Sequence, residues 1–261
     1  MDSNQIDTDA ARLLEISRRL DEPFVSRRHI VFITLMAIRS RSLFATVVQA
    51  SAGESAAAVG PLLRALVEAN IAIRFVCERN TELLLDLWEA ERERGRLTLD
   101  DRVRRLANKG GRRFPVLGAD DRTAIEAHVR AAREAAGEAN VRGVRDKGAV
   151  FPGVGSQIDE LGSVQAIEAY ALAYGPLSAD VHIGAAAFDH VTVEAVGDLI
   201  KVSDAVPADT AQAERTLALT MFASTLVMAD VHREFGFAAE VDEIKRRYIP
   251  HETPLEERQG G

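Results

Sequence analysis

Sulfur, aromatic rings, long apolar runs and net positive charge are all in short supply in this chain, and each shortage excludes something. The one cysteine, Cys77, sits in the apolar pattern from Ile71 onward, so no disulfide framework is possible and a small buried side chain is expected. Aromatic residues make up 5% of the chain while alanine is abundant, so its cores must be built from Leu, Val, Ile and Ala. That mixture suits close-packed helices and disfavours a strand-rich fold. The longest apolar run, Ile30 to Ile38, is broken by Arg39 and Arg41, which is short of the ~20 residues that cross a bilayer. No membrane partner is therefore expected. A net charge of −8 argues against a broad footprint for nucleic acid or anionic lipid, while leaving room for a local basic cluster. The first residues, Met1 to Ile6, lack the basic and apolar regions of a secretory leader. A reducing cytoplasm is the expected location.

What is present reads as one helix after another. Ile6 to Leu20 carries an apolar face and reads as a surface cover that ends at the Asp21-Glu-Pro23 break. The run His29 to Ala50 is apolar on most sides, which marks a central helix, with His29 near its start as a structural histidine. Ser55 to Arg79 follows, then a helix restarting at Asn80-Thr81 and a further one from Leu99 to Ala107. Between these two, the run Glu89 to Arg94 reads as a solvated face. Asn108 to Arg113 reads as a helix stop, because it lacks the residue order of a phosphate-cradling loop. Asp120 or Asp121 is expected to cap an Ala/Arg/Glu-rich helix running to about Arg142, poor enough in large apolar residues to project as an arm or lid.

Arg145 to Ser156 is the clearest loop and a candidate boundary, although neither flank looks self-sufficient. A helix from Gln157 leads to Tyr174-Gly-Pro-Leu-Ser178-Ala-Asp-Val-His182, with Gly175-Pro176 kinking or restarting it. Alternation around His190 to Val202 suggests a short hairpin near 190–203, attached like a flap. Ala211 to Phe235 is a second central apolar helix, followed by a short amphipathic piece from Ala238 to Arg247. The expectation is an all-α multi-helix bundle forming a single domain over 1–249, with a disordered tail at 250–261.

The chemistry-bearing residues are few. Arg64 and Glu68 stand one turn apart and can pair with each other or face one partner together. Ser178 and His182 share a helical face, with Tyr174 near them. No Gly-x-Ser-x-Gly elbow, dinucleotide fingerprint or His-Glu-x-x-His pair occurs. No cofactor or metal is expected, and a spatial constellation of Glu68, His182 and His232 is the weaker route to one. A cation placed four to six residues before a histidine, as helical ribonucleases use, occurs at Arg122/His128 and Arg246/His251. Arginine is so abundant that chance accounts for both.

The motif Leu62-Leu-Arg64-Ala-Leu-Val-Glu68, the run Tyr174-x-x-Leu-Ser178-x-x-x-His182-x-Gly184 and the long apolar helix near the C-terminus together resemble a bacterial family known as domain of unknown function 5677. The resemblance spans about Leu13 to Phe237. It implies a helical cytoplasmic bacterial protein whose layout is similar to HEPN-like proteins of toxin and phage-defence systems. Departing from a HEPN nuclease, this chain has no Arg or Asn at the required spacing before His182. Two functions stay open. In one, an effector acts on RNA or another phosphate-bearing substrate, with His182 as acid or base, Ser178 or Tyr174 orienting the substrate, and Arg64 with Glu68 binding a polar or anionic group. In the other, the same five residues form a buried polar network in a non-enzymatic binding or structural module. The partner is then a small molecule, RNA or a protein, a second copy of the chain included.

Overall fold

The computed structural model describes residues 3–51, 59–79, 81–110, 117–144, 148–162, 191–196, 199–204 and 208–248. Helices make up nearly all of this, an all-α architecture. The chain clusters into two compact units, one formed by Met1–Arg74 with Val164–Gly261 and the other by Phe75–Ser163. One division falls inside a helix, between Arg74 and Phe75, and neither coincides with the Gly- and Pro-rich stretch at 145–156.

In the first unit, α1 (Ser3–Ile16) runs into a short 3-10 turn, Ser17–Asp21. It covers the unit with one face, on which Ile6, Ala10, Leu13, Ile16 and Leu20 are buried, and leaves Asp7, Thr8, Arg12 and Glu15 exposed. Helices α2 (Arg28–Ser51) and α3 (Val59–Glu78) follow. Further along the chain, β1 (Val191–Val196) and β2 (Leu199–Asp204) pair antiparallel, with Val191 opposite Asp204 and Val196 opposite Leu199. Helices α7 (Ala208–Arg233) and α8 (Ala238–Arg246) complete the unit.

The core of this unit is the packing of α2 on α7, as helices apolar on most sides require. Phe32, Ile33, Ala37, Phe44 and Val47 of α2 are buried, as are Leu219, Phe222, Ala223 and Leu226 of α7. Because α2 continues its apolar character beyond Arg39 and Arg41, the whole helix is longer than the run Ile30 to Ile38 suggests. Its mean hydropathy over one window is 1.6, so by length and composition it is also a helix that can cross a membrane. Asn70 of α3 ties to α7, donating from Nδ2 to the Met221 carbonyl and to Thr225 Oγ1, each at 3.1 Å.

Two carboxylates fasten the ends. Asp9 of α1 accepts from Arg247 Nη1 at 2.8 Å and from the Tyr248 hydroxyl at 2.7 Å, drawing the chain beyond α8 onto α1. Asp230 of α7 accepts from the backbone N–H groups of Gly236 and Ala238 at 2.8 and 2.6 Å. This holds a turn in which Glu234 and Gly236 both have positive φ, 54° and 78°, and so satisfies donors that the start of α8 would leave open. Asp230 belongs to a tetrapeptide, Ala229-Asp-Val-His232, that recurs at 179–182, which lies outside the described residues.

In the second unit, α4 (Thr81–Gly110) is one continuous helix where two were expected. Gly95 lies within it with open space around its α-carbon, so the cost of about 1 kcal/mol for an internal glycine is not enough to break it. Helix α5 (Ala119–Glu138) packs on α4 and does not project as an arm. Ile125, Val129, Ala132 and Ala136 form its buried stripe, spaced four, three and four residues apart. Gly118 takes the N-cap position with no side-chain cap, so Asp120 and Asp121 lie in the first turn, where they complement the helix dipole. Helix α6 (Val154–Leu161) ends at Gly162, whose φ of 60° suits a left-handed stop.

Candidate functional site

Of the five residues expected to form a site, Arg64 and Glu68 are described; Tyr174, Ser178 and His182 lie outside the described residues. Arg64 and Glu68 occupy the first half of α3. Between Val59 and Ile73 they are the only charged side chains, on a helix whose Leu63, Leu66, Val67, Ile71 and Ile73 are buried. Arg64 Nε donates to Glu68 Oε1 at 3.1 Å. The side chains retain 19% and 39% of their exposure, so water reaches the pair.

Stability alone is a weak reason for charge at this place. An exposed i, i+4 pair contributes about 0.3–0.5 kcal/mol, and the arrangement with the cation first is the less favourable of the two. What the geometry provides is a guanidinium steered by a carboxylate, set among the apolar residues of the first half of α3. Such a group can meet an anion through charge-assisted hydrogen bonds, while the carboxylate fixes its rotamer.

The second unit's polar groups serve its architecture. Asp100, buried on α4, accepts from Arg104 Nε at 2.7 Å, from Arg122 Nη1 at 3.0 Å and from the Leu117 N–H at 2.9 Å. The bond from Arg104 holds its carboxyl below the usual carboxylate range, aided by Leu117 and Arg122. Arg122 also reaches Asp101 and Glu126. His128 Nδ1 lies 2.6 Å from Glu93 Oε2. In the Arg122/His128 match, both residues lie on α5 and are bonded to carboxylates of α4, Arg122 to Asp100 and Asp101 and His128 to Glu93; His251 of the other match lies outside the described residues. Glu91, in the run expected to be a solvated face, bonds both Arg94 and the Val150 N–H and so ties α4 to a loop. Burial pushes the Cys77 thiol up to about 11, with Glu78 adding to the shift, which leaves it a poor nucleophile near neutral pH.

A second surface in the first unit was not read from the sequence. The Arg233 guanidinium lies between two rings, its carbon 4.3 Å from the Phe24 centroid and 4.2 Å from that of Phe235. Arg19 lies over Phe235 and Phe237, which are themselves stacked 5.3 Å apart. Arg233 also donates to the Leu20 and Glu22 carbonyls, pinning the segment before α2. Beside it, His29 and His232 meet edge to face with centroids 6.0 Å apart. Among the described residues no three metal-ligating side chains gather. His232 of the weaker metal constellation thus faces His29, while its companion His182 is outside the described residues. Basic–aromatic alternation in Arg18 to His29 and His232 to Phe237 is the signal that could have found this surface.

Compared with protein-family models, curated proteins and solved structures, the chain finds no match.

Proposed function

We propose that the protein acts on RNA or another phosphate-bearing substrate through a site centred on Arg64 and Glu68. In this reading His182 is the general acid or base, and Tyr174 and Ser178 orient the substrate. The observation that carries it is the solvent-reached Arg64–Glu68 pair on a helix buried along most of its length. A closed structural network would bury both groups, whereas Glu68 keeps more than a third of its exposure. The hairpin, whose strands β1 and β2 pair antiparallel, enters the proposal as a flap over that site. The resemblance to the bacterial family supplies the setting: a cytoplasmic effector of toxin or phage-defence type.

One observation favours the second reading, a binding or structural module. Asn70, two residues beyond Glu68, already uses its side chain to fix how α3 meets α7. In this reading Arg64 and Glu68 add a second polar pair to the helix whose crossing Asn70 fixes.

The experiment is a turnover assay of the purified chain on single-stranded RNA and on free nucleotides, run beside thermal melting of the same samples. The enzymatic reading expects Arg64→Ala and His182→Ala to abolish turnover with melting retained. Absent turnover in the parent chain, together with variants that melt several degrees lower, supports the structural module instead.

A further inference from the structure

The end of the first unit where α2 begins and α7 ends combines exposed cations with an exposed ring. Arg18, Arg19, Arg27 and Arg28 are all exposed, within one short stretch of chain. Phe24 keeps 41% of its exposure although Arg233 covers one of its sides. Its neighbour Val25 and, on the last turn of α7, Val231 are exposed to 70% and 68%. The acids in this stretch are already engaged, Asp21 with Arg41 at 2.8 and 2.9 Å and Glu22 with Arg19 at 3.3 Å. Over residues 18–28 a chain of net charge −8 thus carries four arginines to two acids, in the stretch that holds the partly open ring.

We propose that this surface binds single-stranded nucleic acid, a base stacking on the exposed side of Phe24 while the flanking phosphates meet Arg18 and Arg27. One feature favours this occupant over an acidic peptide. The Phe24–Arg233–Phe235 sandwich already has the alternation of rings and guanidinium planes on which bases stack. Arg233 holds the segment before α2 in place by bonding the Leu20 and Glu22 carbonyls, so the ring is presented before any ligand arrives. The surface lies on elements other than Arg64 and Glu68, and its binding does not depend on the reaction assigned to them.

The test is fluorescence anisotropy of a short labelled oligouridylate with the full chain, repeated with oligothymidylate and at several salt concentrations. Binding that weakens as salt rises is expected, and Phe24→Ala should reduce affinity about tenfold, the effect of losing one stacked base. Phe24→Tyr should retain it, and Arg27→Ala should lower the salt slope by about one. Oligothymidylate binding equally well marks a site for either nucleic acid; a preference for oligouridylate marks one that reads the 2′-hydroxyl. No binding at low salt, or binding that Phe24→Ala leaves unchanged, overturns the proposal. So does displacement by polyglutamate as readily as by unlabelled oligonucleotide, which would mark an acidic-protein surface. Turnover of free nucleotides, which do not need this surface, keeps such a failure separate from failure of the Arg64 site.

Discussion

Phe44 of α2 and Phe222 of α7 stack with centroids 4.6 Å apart and planes inclined by 23°, and neither ring is open to solvent. The two helices that the sequence marks as central thus meet at mid-length through a stacked phenylalanine pair in a chain poor in aromatics. Phe222→Ala should destabilise the first unit by about 3–5 kcal/mol, because the neighbouring helices can fill the cavity only in part. Phe222→Leu should cost much less. Urea unfolding followed by circular dichroism measures both.

Asn70 makes a narrower prediction. Its amide satisfies the Met221 carbonyl and the Thr225 hydroxyl inside the unit. Asn70→Ala should cost about 1–3 kcal/mol, and Asn70→Asp at least as much, since a carboxylate cannot donate to either oxygen. Chemical denaturation of the two variants against the parent checks the order.

His232 sets a pH dependence. Burial, with His29 opposite, lowers its affinity for a proton from an ordinary value of 6.5. The unfolded chain therefore takes up a proton before the folded one does, and stability must fall as pH drops below about 6.5. Above that range both states hold the imidazole neutral and the effect vanishes. His232→Gln should flatten the loss of melting temperature between about pH 7.5 and 5.5.

In the second unit, Asp100 gathers Arg104, Arg122 and the Leu117 N–H. Asp100→Asn should lower melting by several degrees and loosen residues 117–122, seen as faster amide exchange there than in α6. The parent's own stability should fall as pH drops through the acid range, because the carboxyl is held below its ordinary 3.8. The variant should lose less.

Much of the fold was legible because apolar residues on every side of α2 and α7 leave burial as the only way to satisfy them. Two helices are expected where α4 is one because the charged run Glu89 to Arg94 between them reads as a solvated face. In the fold, Glu91, Glu93 and Asp100 from that region bind Arg94, His128, Arg104, Arg122 and the Val150 N–H. Charge that looks solvated in sequence is here used to attach α5 and a loop. α5 passed for an arm because Ala132 and Ala136 carry little hydrophobic signal, although small side chains are what let two helices approach closely.

At the candidate site, Arg64–Glu68 was legible from a four-residue spacing, since that spacing fixes a common helix face. The stack of Arg19, Phe24, Arg233 and Phe235 was not, because it joins residues some two hundred positions apart, and no periodicity reports such a meeting.

The most direct measurement of the central claim is the mapping of RNA ends in cells expressing the parent chain, Arg64→Ala or His182→Ala, with the melting temperature of each purified protein alongside. The account predicts new RNA ends with the parent and none with either variant, at unchanged melting temperatures. Identical end patterns in all three, or variants that lose their ends only because they no longer fold, would contradict it.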